Sequence, residues 1–159
     1  MVSVPHPDSP PLSLGCAAIT ISDTRTPETD RSGQLIQQLL RSAGHRIIAY
    51  EIIPDEPERI QERLIELSDR ADLNVLIFTG GTGIAPRDTT YDALEAQLDK
   101  ILPGFGELFR FLSYSEIGSR AIASRAIAGT YRNQLVFSLP GSVNAVRLAL
   151  EKLILPELI

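Results

Sequence analysis

Short, almost continuously apolar segments alternate along this chain with segments whose apolar residues recur at helical spacing, and that alternation narrows the possible folds more than any other feature. Cys16-Ala17-Ala18-Ile19-Thr20-Ile21, Ile47-Ile48-Ala49-Tyr50-Glu51-Ile52-Ile53, Asn74-Val75-Leu76-Ile77-Phe78-Thr79 and Gln134-Leu135-Val136-Phe137-Ser138-Leu139 are the strand candidates. Between the first two, Leu35, Ile36, Leu39, Leu40 and Ala43 mark a helix that Gly44 is placed to stop. Between the second and third, Ile60, Leu64 and Leu67 lie on one helical face and Pro57 suits the first turn. Strand, helix, strand, helix, strand with short links predicts right-handed βαβ units and a mostly parallel sheet. Strands of such a sheet are covered on both faces, which explains why they lack polar alternation.

Further helices are expected over about 90–99 and 105–117, and a last one carrying Val143, Val146, Leu150, Leu153 and Ile154 on one face. The segment 120–133, with Gly129, Tyr131 and Asn133, reads as a short strand or hairpin. Residues 1–13, with Pro5, Pro7, Pro10 and Pro11, read as an extended arm, and 14–159 as a single domain.

The formal charge of −5 speaks against a broad basic face for nucleic acid. No stretch reaches the roughly 20 apolar residues that span a bilayer, and a secretory leader pattern is missing, so a cytoplasmic location is expected. Cys16, the sole cysteine, reads as a core residue, and His45, after the helix-stopping Gly44, as a solvent-facing one. The histidines have no cysteine partners at zinc spacing.

Ligands of open α/β sheets bind beyond the carboxyl ends of the strands. Four polar turns meet that condition: Ser22-Asp23-Thr24, Pro54-Asp55-Glu56, the glycine loop leading to Pro86-Arg87-Asp88, and Pro140-Gly141-Ser142. The loop Thr79-Gly80-Gly81-Thr82-Gly83 lets backbone approach a ligand closely; it is either a phosphate cradle or only a tight turn. It has no P-loop lysine and does not match the dinucleotide fingerprint. Asp55 and Asp88 each follow a strand end by a few residues. They suit Mg²⁺, which favours one or two carboxylates alongside phosphate oxygens, and they equally suit helix caps. Arg25, Arg87 and Arg125 are candidate phosphate clamps. Phe105, Phe109, Phe111 and Tyr114 cannot all face one core from a helix, so Phe111 is expected in solvent or at an interface.

In combination these motifs resemble the MoaB/MogA family of molybdenum cofactor biosynthesis proteins. Ile21 to Arg25, Ile53 to Glu56, Thr79 to Gly83, Pro86 to Thr90, Pro103 to Glu107, Ser124 to Ala126 and Leu139 to Ser142 fall in the family's order over roughly residues 14–156. The resemblance implies a three-layer α/β/α sandwich and adenylylation of molybdopterin by ATP with Mg²⁺, giving adenylyl-molybdopterin and pyrophosphate without an organic prosthetic group. It implies that Asp55 and Asp88 are the metal-holding catalytic pair. It also implies that Ser22, Asp23, Thr79, Gly80, Gly81, Thr82, Gly83, Ser124, Arg125, Pro140, Gly141 and Ser142 border the ligand. Phe109 to Gly118 look like the MoaB branch, some members of which lack the two aspartates; this chain has both. A homotrimer or homohexamer is the implied assembly, and a non-catalytic molybdopterin- or nucleotide-binding protein is the alternative activity.

Overall fold

The computed structural model describes residues 12–158, so the extended arm expected over 1–13 lies almost wholly outside the described residues. Six strands and five α-helices follow in the order β1 (Gly15–Ile21), α1 (Arg31–Ser42), β2 (Arg46–Ile53), α2 (Pro57–Ser68), β3 (Val75–Thr79), α3 (Thr90–Glu95), β4 (Lys100–Ile101), α4 (Pro103–Ile117), β5 (Ile127–Tyr131), β6 (Gln134–Leu139) and α5 (Val143–Ala149). They form one sheet in the order β2-β1-β3-β6-β5-β4. The four strands β2, β1, β3 and β6 run parallel; β5 is added antiparallel to β6 through a hairpin, and the short β4 pairs antiparallel with β5 at the edge.

The period of two along each strand divides the core between the two faces. Cys16 and Ala18 of β1 and Val75 and Ile77 of β3 pack with Ile36 and Leu40 of α1, Phe109 of α4 and Val146 of α5. The intervening Ala17 and Ile19, with Leu76 and Phe78, pack with Ile60, Leu64 and Leu67 of α2 and Leu94 of α3. The result is a helical layer on each side of the sheet. The chain steps from β1 outward to β2 and then back past β1 to β3, and right-handed crossovers in opposite directions put α1 and α2 on opposite faces. That reversal leaves a crevice at the carboxyl ends of β1 and β3. Register aligns those ends: Thr20 pairs with Thr79, Thr79 with Leu139 and Ile21 with Ile53.

Cys16 is fully buried, and burial pushes its thiol pKa up to about 11, which fits an inert core residue. His45 departs from expectation. It is buried at 6% exposure, and its Nδ1 accepts the Leu14 N–H at 3.2 Å. Gly44, at φ +90°, turns the chain so sharply off α1 that the next residue drops beneath the segment leading into β1. The helix expected over 90–99 ends at Glu95, and α5 passes after Ala149 into a π-helical turn, Leu150–Ile154. Phe109 is buried, while Phe111 is 73% exposed.

Candidate functional site

The aligned strand ends bring most of the singled-out residues to one cleft of about 620 Å³. Ser22, the loop from Thr79 to Gly83, Asp88, Ser124, and Pro140 to Ser142 line it. Local chemistry fixes each turn. Ser22 Oγ accepts the N–H groups of Thr24 and Arg25 at 3.2 and 3.0 Å, closing the turn after β1. Ser142 caps α5 by accepting the Ala145 N–H at 3.2 Å. Thr79 donates its hydroxyl to the Pro140 carbonyl, tying the β3 and β6 ends together. Gly80 and Gly81 take φ of +100° and +65°, and a methyl on Gly80 would stand 2.4 Å from the Ile21 carbonyl. Only glycine admits that approach of the loop to β1.

Neither aspartate is a helix cap. Residue Glu56 occupies the cap position of α2 and Thr89 that of α3, and neither makes a side-chain cap bond. Asp55 is buried, and its Oδ1 accepts the Thr89 hydroxyl at 2.6 Å and the Thr89 N–H at 3.3 Å. Asp88 Oδ2 accepts the Ala85 N–H at 3.1 Å. The two carboxylates close on the glycine loop at successive glycines. A methyl on Gly81 would lie 2.6 Å from Asp55 Oδ2, and one on Gly83 would lie 2.6 Å from Asp88 Oδ2. Asp88 forms part of the cleft wall; Asp55 sits behind Gly81 and does not. Among the described residues no cluster of three or more His, Cys, Asp or Glu could hold a metal unaided.

Asp23, Arg87 and Arg125 also stand off the cleft. Asp23 receives both arms of the Arg87 guanidinium, at 2.8 and 2.7 Å, and its Oδ1 also accepts the Asp55 N–H at 3.2 Å. The bonds from Arg87, and then from the Asp55 amide, hold its carboxyl below the usual aspartate range. The pair therefore latches the turn after β1 to the loop after β3. Arg125 braces that loop from outside: Nε donates to the Thr82 carbonyl at 3.2 Å, and Nη2 to those of Gly83 and Asp88 at 2.6 and 3.2 Å. Its Nη1 meets Asp92 at 3.2 Å, and the guanidinium lies 5.0 Å from the centre of the Tyr91 ring. It opens onto a second, shallower hollow with Thr89 and Asp92, not onto the cleft.

Residues that sequence reasoning missed complete the wall: Ser113 and Glu116 from α4, and Asn144 from the first turn of α5. Asn144 could have been found from its place two residues past Ser142. Ser113 and Glu116 carried no local signal, because only the docking of α4 brings them there. Asp30 was also missed. It is fully buried at the start of α1, where it caps the helix through the Gly33 N–H at 3.0 Å.

Comparison with known proteins agrees with this fold. The family described as "Probable molybdopterin binding domain" matches residues 17–159. Molybdenum cofactor biosynthesis protein B of Bacillus cereus is 53% identical over 154 residues, spanning 96% of this chain and 91% of that protein. A crystal structure of a molybdenum cofactor biosynthesis protein B superposes with a TM-score of 0.92 at 54% identity, covering 94% of each chain. The tungsten cofactor synthesizing protein MoaB of Pyrococcus furiosus superposes at 0.79 with 39% identity, covering 89% of this chain and 91% of that one. A family match over nearly the whole domain, together with relatives above half identity over nearly their full length, means that the chain belongs to the MoaB/MogA family of molybdenum cofactor biosynthesis proteins.

Proposed function

We propose that this protein adenylylates molybdopterin, using ATP and Mg²⁺, and releases pyrophosphate. The observation that carries the reading is the placing of Asp55 and Asp88 against Gly81 and Gly83 of one loop at the strand ends. In the reaction a phosphate oxygen of molybdopterin forms a bond to the α-phosphorus of ATP. The bond from that phosphorus to the bridging oxygen breaks, and pyrophosphate departs with the electron pair. A phosphate monoester is already largely dianionic near neutral pH, so no protein base is required for attack. The protein's task is positioning and charge compensation.

The residues fit Mg²⁺. This ion takes one or two carboxylates and completes its shell with water and phosphate oxygens, and Asp55 and Asp88 offer two carboxylates at one loop. Asp55 and Asp88 would hold it, and its chemistry there is to neutralise the triphosphate and the departing pyrophosphate. Gly81 and Gly83 keep the loop thin enough for both carboxylates to reach it. Ser22, Ser124 and Ser142 provide hydroxyls around the cleft for the pterin and its phosphate.

The same reading includes self-association as a trimer or hexamer. Leu108, Phe111, Tyr114 and Ile117 leave apolar surface exposed at three-residue spacing along α4, and Ile122, 84% exposed, follows. Light scattering checks the assembly. A cytoplasmic location is part of the proposal; no helix among the described residues is long and apolar enough to cross a membrane.

The test is pyrophosphate release from ATP and Mg²⁺ with and without molybdopterin, in the wild-type protein and in Asp88→Ala. Release that requires molybdopterin and drops by orders of magnitude in the variant supports adenylylation. Pterin binding without release would instead make this a non-catalytic binder.

A further inference from the structure

Three arginines near the cleft could receive a ligand phosphate, and their existing bonds separate them. Arg125 is engaged by three backbone carbonyls and by Asp92, and Arg87 by both oxygens of Asp23. Arg25 is different: among the described residues it is the one basic side chain that lines the cleft. Its Nη1 lies 3.5 Å from the Gly141 carbonyl and 3.6 Å from Asp30 Oδ1, while Nε and Nη2 have no hydrogen-bond partner among the described residues.

Asp30 explains how the guanidinium is held. Its Oδ2 accepts the Thr20 and Tyr50 hydroxyls, each at 2.6 Å, and its Oδ1 accepts the Gly33 N–H. Those three donors satisfy the buried carboxylate without Arg25, so the longer contact orients the arginine and leaves its donor edge available. The Arg25 backbone is pinned as well, by its N–H to Ser22 Oγ. Asp88 and Glu116 are the acidic side chains on the same wall, and Arg25 is the cationic side chain that offsets them.

We infer that Arg25, oriented by Asp30, is the residue that makes this cleft select a phosphate monoester, through a two-point contact from Nε and Nη2. The assignment rests on the reading that the cleft takes molybdopterin, and of the three candidate phosphate clamps Arg25, Arg87 and Arg125 it selects Arg25. A planar fork suits a phosphate better than a point charge does, and Arg25 retains one edge of its fork.

Equilibrium binding without ATP or metal tests this. The probes are molybdopterin and the same pterin with its phosphate removed, titrated into wild-type protein, Arg25→Gln and Arg25→Lys. The wild-type chain is expected to prefer the phosphorylated form by roughly 10- to 100-fold, the scale of a charge-assisted hydrogen bond. Arg25→Gln should bind both forms equally, at the level of the dephosphorylated pterin, and Arg25→Lys should recover part of the preference. A purely structural role for Arg25 would weaken both ligands alike and leave their ratio intact, which overturns the inference. So does a wild-type protein that binds both forms equally. Failure of the wild-type chain to bind either form overturns the molybdopterin reading and this one with it.

Discussion

Thr89 donates two hydrogen bonds to a single oxygen of Asp55, from its hydroxyl at 2.6 Å and from its backbone N–H at 3.3 Å. All of this binding falls on Oδ1, which leaves Oδ2 as the oxygen turned toward Gly81. A buried carboxylate held in this way has one orientation, with its second oxygen fixed against the glycine loop, as the proposed metal-holding role needs. Thr89 immediately follows Asp88, so the segment that supplies one aspartate also orients the other.

Replacing Thr89 by valine keeps the shape and removes the hydroxyl. Loss of a charge-assisted bond to a buried carboxylate is expected to lower stability by about 1.5–3 kcal/mol. Turnover should fall while pterin affinity stays near the wild-type value, since Asp55 is off the cleft wall. Thr89→Ser, which retains the donor, should restore most of both. Chemical denaturation read beside pyrophosphate release checks the pair. Turnover unchanged in the valine variant would remove Thr89 from any positioning role.

Gly81 offers a sharper steric test. It combines φ of +65° with a Cβ position 2.1 Å from Thr90 Oγ1 and 2.6 Å from Asp55 Oδ2. Gly81→Ala thus meets both left-handed strain and a clash, and a loss of about 2–5 kcal/mol is expected. Gly104→Ala is the control. Nothing lies within 4 Å of its added methyl, and in the first turn of α4 alanine should be neutral or stabilise by up to about 1 kcal/mol. Denaturation midpoints of the two variants should move apart; a harmless Gly81→Ala would mean that the loop has room to yield.

Much of this site was legible before any coordinates, and the limits have a physical cause. The βαβ order, the parallel strands and the four strand-end turns follow from periodicity and turn chemistry, which are local. The glycine loop was legible as a close approach, but what approaches it was not: the carboxylates of Asp55 and Asp88 occupy its side-chain space, so the loop serves the protein's own acids. Arg125 shows the same limit. A guanidinium beside a serine suggests a phosphate site, yet its partners are carbonyls of a loop some forty residues earlier, which no local pattern encodes. His45 was misplaced because Gly44 was read as a stop signal alone and not as a turn that buries the next residue.

That buried histidine gives the fold a pH dependence with a definite sign. Burial holds the His45 imidazole below its ordinary value of 6.5, and its Nδ1 serves as an acceptor for the Leu14 N–H, a role open only to the neutral ring. In the unfolded chain the same ring takes a proton near pH 6.5. Between that value and its lower folded one, the unfolded state binds more protons, so stability is complete above about pH 6.5 and declines as pH falls through the folded value. The carboxyls of Asp23, Asp72 and Glu28, also held low in the fold, act near and below their ordinary values of 3.8 and 4.5 and leave the window near pH 6 to His45. Urea midpoints measured from pH 7.5 to 5.5 should therefore fall in the wild-type protein and fall less in His45→Asn. Parallel declines in the two proteins would assign the acid sensitivity to other groups.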